Sequence, residues 1–374
     1  MELTFKESAK NLRSAAKEAA KSLVERESLV DLILLAAVAE EHLLIIGAPG
    51  TAKSAAVRRV AKVLDGEYFE YLLGRFTEPS ELFGPVDLKR LKEGVVETAT
   101  SGMLPEAEIV FLDEVFLGST AVLNTLLGIL NERQFRRGST QIKCPLKVCV
   151  GAANHLPDDQ SLAAFGDRFL VHYFVEPVPD SQLEVLLDQG WKSDHSLLES
   201  SVSMDQLATL SAKAAQADMS SINNQLADCI RLLRKENINL SDRRIVKSQR
   251  LIAAAAVLDG REQPTSADLW PLIYAIANEE DQITARELLH DQLSESNNSA
   301  LGAAVEEASK GILARAQRLV DQVETMLALP DQERNILALE ALGREIDTGF
   351  GLNTMPEPLK RAREKLITTL GLVS

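Results

Sequence analysis

The chain has 374 residues, of which 45% are hydrophobic and 25% are charged, with 20 glycines and 13 prolines. This length predicts two or three domains, and the composition is typical of a globular, helix-rich protein rather than of a disordered chain. The 40 Lys and Arg face 55 Asp and Glu, which gives a formal net charge of −15. The field of the whole molecule therefore disfavours non-specific attachment to nucleic acid or to anionic membranes.

Cysteine usage and hydropathy predict a cytoplasmic protein. Three cysteines lie in apolar stretches without a C-x-x-C pair, as expected of reduced core thiols: Cys144, Cys149 and Cys229. The amino-terminal stretch mixes charges throughout and lacks the apolar segment of a secretory signal. The most apolar window, residues 29–47, is interrupted by Asp31, Glu40 and Glu41, so it is too short to span a membrane. We interpret it as a helix followed by a buried strand.

Up to about residue 190, short apolar runs alternate with helical periodicity. The runs are LLIIG (43–47), YFEYLL (68–73), EIVFLDE (108–114) and KVCVGAAN (147–154). Near-continuous apolar runs, each followed by a helix-like segment, indicate a parallel sheet that is buried on both faces and flanked by helices. Residues 1–192 are therefore predicted to form an α/β nucleotide-binding domain.

Helical periodicity replaces the strand signal in the rest of the chain. Residues 193–293 are predicted to form an all-α domain, with one helix beginning near Ser241 and ending before Gly260. A polar linker at 294–299 precedes a third region, 300–374. Apolar residues mark one face of a long helix there, and two shorter helices follow, one near Asp331 and one after Pro358, which predicts a C-terminal helical bundle.

The segment GAPGTAKS (47–54) follows the first predicted strand. Such a turn between strand and helix directs backbone N–H groups at phosphate oxygens. Lys53 is expected to reach the β and γ phosphates, and the Ser54 hydroxyl to bind Mg²⁺. The residues predicted to contact ATP are Gly47, Gly50, Thr51, Ala52, Lys53, Ser54, Ala55 and Asp113.

Ala52 departs from the pattern G-x-x-x-x-G-K-[ST], which has glycine before the lysine. If this position needs a positive φ, alanine is strained there, whereas helical dihedral angles would tolerate it. Because Ala52 directly precedes the lysine and the helix, we expect helical dihedral angles and a working site.

Four residues outside the loop complete the predicted site. EIVFLDE ends in Asp113, expected to bind Mg²⁺, and Glu114, expected to activate water. Asn154 ends the next run, where its amide can hold that water, although it can also simply cap a turn. Arg168 can serve the γ phosphate of a neighbouring subunit, or can form a structural ion pair with Asp167.

Ordered motifs together resemble the MoxR branch of AAA+ ATPases over about residues 10 to 290. They are GAPGTAKS, GRFTEPSELFGPVD (74–87), TSGMLPEAEIVFLDEVF (100–116), LNTLLGILNERQFRRG (123–138), GAANHLP (151–157), DRFL (167–170) and SDRR (241–244). The RavA-type subgroup is the most similar, because alanine also precedes its phosphate-loop lysine.

The resemblance implies an AAA+ core with a parallel sheet, an all-α lid domain and a ring of ATP-hydrolysing subunits, usually a hexamer, whose sites are each shared by two subunits. It implies that Asn154 is sensor 1, Arg168 the arginine finger and Arg243 the sensor 2 arginine, with Arg244 as the alternative. Family members commonly work with a protein that contains a von Willebrand factor A domain.

Two segments resemble the pore-facing hairpins of this branch, residues 87–102 and 134–146. Both show strand-like alternation around a glycine turn. They concentrate positive charge: Lys89, Arg90, Lys92, Arg136, Arg137 and Lys143. These side chains either grip an acidic partner segment or are solvated hairpin faces.

The resulting hypothesis is a chaperone-like ATPase that remodels or helps mature a partner protein. One alternative is a nucleic-acid motor similar to minichromosome-maintenance helicases, although the negative charge and the lack of a basic groove with interleaved aromatic residues argue against it. The other is a scaffold that binds nucleotide only to assemble.

Overall fold

The computed structural model describes residues 4–21, 23–193, 202–328, 336–349 and 355–370. The strands are β1 Leu43–Gly47, β2 Tyr68–Leu72, β3 Ile109–Asp113, β4 Gln134–Arg137, β5 Thr140–Lys143, β6 Val148–Ala153 and β7 Val171–Val175. The helices before residue 200 are α1 Phe5–Ala20, α2 Glu27–Ala39, α3 Lys53–Leu64, α4 Pro79–Phe83, α5 Leu88–Lys92, α6 Thr120–Glu132, α7 Gln160–Gly166 and α8 Leu183–Ser193. Those after it are α9 Met204–Ala215, α10 Asn223–Lys235, α11 Asp242–Leu258, α12 Pro271–Tyr274, α13 Glu279–Leu288, α14 His290–Leu293, α15 Gly302–Ala328, α16 Ile336–Gly349 and α17 Glu357–Thr369.

A five-stranded parallel sheet, in the order β2-β3-β6-β1-β7, carries the site. Four of its strands were predicted from the sequence, and the expected parallel arrangement is confirmed. The edge strand β7 was not predicted. Its run VHYFV contains His172, which reads as polar but is buried, with its Nδ1 3.2 Å from an Arg244 nitrogen.

Both faces of the sheet are covered, as the near-continuous apolar runs predicted. Along β1, Leu43 and Ile45 join the core shared with α1, α2, α3 and the lid helices. Leu44 and Ile46 point to the opposite face and join the core built with α4, α6 and α7. This alternation is the period of two that a strand imposes on its side chains.

The lid helices α9–α14 share the first of these cores with the sheet domain. Helix α11 begins and ends where the sequence predicted. The Ser241 side chain accepts a hydrogen bond from the Arg244 N–H at the amino end, and Gly260 has φ 84° just beyond the carboxyl end. An all-α lid domain after an α/β core is therefore confirmed as the fold.

The C-terminal helices form a separate core that is joined to the rest by α15. The first turns of α15 pack in the main core, and its later turns pack with α16 and α17. Helix α17 begins at Glu357, so Pro358 lies in its first turn, where a missing N–H breaks no bond, rather than before the helix as expected. The predicted helix start near Asp331 lies outside the described residues.

The amino end of α15 forms hydrogen bonds with both the sheet domain and the lid domain. The Asp31 carboxylate in α2 accepts hydrogen bonds from the Ala303 and Ala304 N–H groups at 3.1 and 3.2 Å. The Tyr274 hydroxyl of the lid donates to the Ala304 carbonyl at 2.8 Å. None of the helices in the described ranges has the length and apolar character needed to cross a bilayer.

Candidate nucleotide-binding site

The phosphate loop connects the end of β1 to the start of α3. Gly50 has φ 80°, the left-handed region that glycine adopts freely, and an added Cβ would meet nothing within 4 Å. Backbone geometry rather than crowding therefore favours glycine here. The Thr51 hydroxyl donates to the Ala48 carbonyl at 2.9 Å and closes the loop. The loop thus brings backbone N–H groups to the amino end of α3, where the helix dipole favours an anion.

Ala52 has φ 60° and ψ 23°, in the left-handed region. The expectation of helical dihedral angles at this residue is therefore wrong. An L-residue in this region is strained by about 1–2 kcal/mol, because its Cβ approaches the following carbonyl oxygen. The Ala52 side chain is exposed, so the strain lies in the backbone, and other contacts must hold the loop in this shape.

Lys53, the first residue of α3, points back into the loop. Its ammonium group donates to the Gly47 and Ala48 carbonyl oxygens at 2.6 and 2.9 Å. Burial lowers the pKa of Lys53, while the negative charges of Asp113 and Glu114 oppose that shift. The ammonium group therefore lies in the field of both carboxylates, at the carboxyl edge of the sheet.

Strand order brings the acidic pair and the amide together. Because β6 lies between β3 and β1, the carboxyl ends that carry Asp113, Asn154 and Gly47 are adjacent. The Asn154 side-chain amide donates to Glu114 Oε1 at 2.6 Å. The Glu114 N–H donates to Asp113 Oδ1 at 3.0 Å, and Glu114 has φ 50°. Each carboxylate is therefore held by a donor of its own.

Arg168 lies at the amino ends of the strands, three residues before β7 begins. Its Nη1 is 3.7 Å from Asp167 Oδ2, and its buried Nε has no hydrogen-bond partner among the described residues. Asp167 Oδ1 accepts a bond from Arg244 Nε at 2.6 Å. The ion pair with Asp167 that the sequence left open is therefore long, and it leaves part of the guanidinium unbound.

The two arginines of SDRR have different surroundings. Arg244 is only 4% exposed and donates to Asp167 and to the carbonyl oxygens of three residues: Phe169, Leu170 and Ala275. Arg243 is partly exposed and donates to Asn131 Oδ1 at 2.6 Å. Burial lowers the pKa of Arg243, and the positive charge of Arg168 lowers it further. Arg243 is therefore near enough to Arg168 for their charges to interact, whereas Arg244 joins the lid to the sheet domain.

Within a single chain, the predicted site residues do not all lie together. The phosphate loop, Asp113, Glu114 and Asn154 are at the carboxyl ends of the strands, while Arg168 and Arg243 are at the amino ends. A five-residue strand such as β7 is about 16 Å long, so neither guanidinium reaches the phosphate loop of its own chain without a large rearrangement.

Sequence reasoning did not single out Arg26, at the start of α2. Its side chain is 4% exposed and donates from Nε to the Thr51 carbonyl of the phosphate loop at 2.8 Å. The letters ERES around it are typical of a solvated surface, and nothing in the spacing connects position 26 to position 51. Only the folded chain shows that this arginine contacts the loop.

The site chemistry fits Mg²⁺ with ATP. Ser54 is in the first turn of α3 and Asp113 ends β3, so each can offer an oxygen ligand. In the described part of the chain, no group of three His, Cys, Asp or Glu side chains could hold a metal. A site that relies on few protein ligands, with phosphate and water oxygens supplying the rest, is typical of Mg²⁺.

The two basic segments differ from each other. Strands β4 and β5 form the predicted antiparallel hairpin in 134–146, with Gly138 at its turn. In 87–102, however, residues 88–92 form helix α5 and only an isolated bridge joins Val86 to Thr98, so the strand-like interpretation is wrong there. The Asp87 side chain caps α5 by accepting from the Lys89 and Arg90 N–H groups, which favours helix over strand.

The segments lie against each other, and part of their positive charge is paired. The Ser139 N–H donates to the Val96 carbonyl at 2.8 Å, so the hairpin turn contacts the segment that follows α5. Arg90 forms ion pairs with Glu93 and Glu97 at 2.9 and 2.6 Å. The net positive charge of this surface is therefore smaller than the sequence suggested.

Comparisons with known proteins agree with this geometry. A family model described as the MoxR domain of MoxR-vWA-beta-propeller ternary systems matches residues 10–212, and an AAA lid domain model matches residues 217–287. An uncharacterized protein of Methanocaldococcus jannaschii is 38% identical over 264 residues, which are 70% of this chain and 68% of that protein.

Two more distant relatives also match. Chaperone MoxR1 of Mycobacterium tuberculosis is 25% identical over 184 residues, 48% of each chain. The crystal structure of a candidate ATPase from Cytophaga hutchinsonii has a TM-score of 0.62 at 18% identity and covers 78% of this chain and 96% of its own, a likeness of fold. From the family models and the site together, we conclude that the chain belongs to the MoxR family of AAA+ ATPases.

Proposed function

We propose that this chain hydrolyses MgATP in a cytoplasmic ring oligomer, a hexamer, and uses the change in ring shape to remodel or help mature a partner protein. The observation that carries the proposal is the separation of the site residues on one chain. The phosphate loop, Glu114 and Asn154 lie at the carboxyl ends of the strands, and Arg168 and Arg243 lie at the amino ends. Head-to-tail packing of subunits would bring the carboxyl ends of one sheet close to the amino ends of the next.

In the proposed mechanism, each residue has one task. The backbone N–H groups from Gly50 to Ser54 and the Lys53 ammonium bind the phosphates. Bound Mg²⁺, held by Ser54 and Asp113, would neutralise charge on the phosphate oxygens. Glu114 accepts the proton of the attacking water, and its bond to Asn154 fixes the direction of the carboxylate.

The arginines complete the site from the next subunit. Arg168 and Arg243 are both partly exposed, and the Arg168 Nε has no hydrogen-bond partner in the described ranges. Together they present positive charge for the phosphoryl oxygens in the transition state. Arg244 instead holds α11 to the sheet domain through Asp167, so it positions Arg243 rather than binding phosphate itself.

The comparisons support a proposal for the partner, and the phosphate loop supports one for the subgroup. The description of the matching family names a von Willebrand factor A protein and a β-propeller protein, and we propose that a protein of the former kind is a partner. The domain limits proposed are 1–192, 193–293 and 300–374. Membership of the RavA-type subgroup rests on Ala52 alone.

Two alternatives are less well supported. A nucleic-acid motor would need free positive charge on the two basic segments, but Arg90 in the first of them is paired with two glutamates, and the chain carries a net charge of −15. A non-catalytic scaffold would not need a hydrogen bond from Asn154 to orient Glu114. The preserved carboxylate–amide pair favours hydrolysis.

A subunit-mixing experiment tests the shared site. Lys53→Ala and Arg168→Ala subunits should each be inactive alone, and an equal mixture should regain about a quarter of native ATP turnover, because one in four junctions then joins an intact loop to an intact arginine. The control mixture combines Lys53→Ala with Glu114→Gln, whose defects lie in the same half-site, and it should regain nothing. Recovery absent from the first mixture, or equal in both, would disprove the shared site.

A further inference from the structure

Arg26 is a buried cation that makes no contact required by the proposed hydrolysis steps. Its guanidinium donates to three main-chain carbonyl oxygens: from Nη1 to Glu25 at 2.5 Å, from Nε to Thr51 at 2.8 Å and from Nη2 to Glu176 at 2.8 Å. The fixed fork of a guanidinium suits several acceptors at once. One side chain thus joins the start of α2, the phosphate loop and the segment after β7.

We propose that Arg26 is a positioning residue of the phosphate loop, which holds the peptide between Thr51 and Ala52 so that the Ala52 N–H faces the phosphates. This inference rests on the proposed ATP site. A trans peptide is planar, and its C=O and N–H point in opposite directions. Because Arg26 binds the Thr51 oxygen, the N–H of the same peptide is directed away from Arg26.

The need for such a restraint follows from the strain at Ala52. A flip of the Thr51–Ala52 peptide would take φ of Ala52 out of the left-handed region and relieve the strain. The same flip would replace the N–H with a carbonyl oxygen facing the phosphates, and two negative groups would then oppose each other. A glycine at this position has no such strain, so the dependence on Arg26 is specific to the alanine loop.

Packing at the base of the loop supports the same role. Gly47 approaches the end of β7 so closely that an added Cβ would lie 2.4 Å from the Val175 carbonyl oxygen. Arg26 binds the next carbonyl along that strand end, that of Glu176. The guanidinium therefore fixes the position of the loop tip relative to the end of β7, which packs against the base of the loop.

A double-mutant cycle tests the proposal on the full-length protein. The variants are Arg26→Gln, Ala52→Gly and the two combined, and the readout is the Kd of fluorescent mant-ADP with Mg²⁺, which requires no hydrolysis. We expect Arg26→Gln to weaken binding about tenfold with Ala52 present and about threefold or less in the Ala52→Gly background, since the two residues act on one peptide. Arg26→Lys keeps the charge but not the fork, so its loss should be intermediate.

Arg59→Gln is the matched control. Arg59 also donates to main-chain carbonyl oxygens, but these belong to Ala19 and Glu18, so the bonds hold α3 to α1. Its effect on Kd should be small and equal in both backgrounds, whatever it does to Tm. Equal losses for Arg26→Gln with Ala52 and with Ala52→Gly, or no loss in either, would overturn the positioning role while leaving the ATP site intact. A native protein that binds mant-ADP no better than Lys53→Ala would overturn the ATP site, and this inference with it.

Discussion

The Asn154 amide and the Glu114 carboxylate are joined by a 2.6 Å hydrogen bond at the carboxyl edge of the sheet. This distance is in the short range expected when the acceptor is charged. The two residues come from β3 and β6, which are hydrogen-bonded neighbours. Their contact is therefore a direct product of strand order, and it connects the proposed base to the residue predicted as sensor 1.

Glu114→Gln should separate hydrolysis from binding. Glutamine keeps an oxygen that accepts from Asn154, but it cannot take a proton from water. We expect kcat to fall by at least about 100-fold while nucleotide affinity stays within about threefold of native. The control is Glu108→Gln, the same change at the amino end of β3, where Glu108 accepts from the Glu67 N–H. Turnover of Glu114→Gln close to native would exclude Glu114 as the base.

Substitutions of Asn154 should distinguish orientation from charge. Asn154→Ala removes the bond to Glu114, and we expect kcat to fall about 10- to 100-fold. Asn154→Asp places a second carboxylate at hydrogen-bond distance, and two like charges so close favour a shared proton. The pH–rate profile of this variant should therefore shift to higher pH. Identical profiles for Asn154→Asp and native protein would show that the contact is lost during turnover.

Removal of Arg244 should mainly lower the free energy of unfolding, whereas removal of Arg243 should mainly lower ATP turnover. Arg244→Ala removes a buried guanidinium from Asp167 and three carbonyl oxygens, so we expect a loss of about 3–5 kcal/mol in the free energy of unfolding. Arg243→Ala removes a partly exposed side chain, so stability should change by less than about 1 kcal/mol. Its ATP turnover in the assembled protein should nevertheless fall at least about tenfold. Denaturant unfolding and steady-state ATP turnover are measured on both variants. A larger loss of stability in Arg243→Ala than in Arg244→Ala, with native turnover in Arg243→Ala, would contradict the prediction.

Local motifs and hydrophobic patterning were enough to predict four of the five strands of the sheet and to single out most residues of the candidate site. The apolar runs ending in Asp113 and Asn154 are strands because their side chains are buried on both faces, and the loop before Lys53 follows from the same pattern. The φ of Ala52 was not predictable in this way, because we infer that its strain is tolerated through the bond from Arg26 to the Thr51 carbonyl oxygen, and those two residues are 25 positions apart. Hydrophobic patterns and local motifs carry no information on contacts between residues so far apart in the sequence.

The distinction between Arg243 and Arg244 was also beyond the sequence. Both follow Ser241 in the first turn of one helix, and their types are identical. Successive helical residues point about 100° apart, so Arg244 is buried against Asp167 while Arg243 faces solvent and Asn131 of α6. Which is which depends on how α11 is rotated against the strands, a tertiary property.

Asp31 should make stability depend on pH. Burial raises the pKa of this carboxyl group to about 7, against the opposing hydrogen bonds from the Ala304 and Ala303 N–H groups and with a further increase from Glu27. A raised pKa in the folded state means that the stabilisation is complete below about pH 4 and is lost as the pH rises towards 7. We expect a loss of up to about 1.4 kcal/mol per pH unit in this range, levelling off above it.

Asp31→Asn isolates this contribution, since the amide oxygen can accept from the same N–H groups at the start of α15 without taking a charge. The pKa values of His42 and His172 are lowered by burial, so these rings destabilise the fold as the pH falls, in the opposite direction. Both proteins contain them, and the difference between the two unfolding free energies cancels their effect. Measured by denaturant titration from pH 5 to pH 8, that difference should move in favour of Asp31→Asn as the pH rises. Parallel profiles would mean that Asp31 has the same charge in the folded and unfolded chain throughout this range, and that its contact with α15 does not respond to pH.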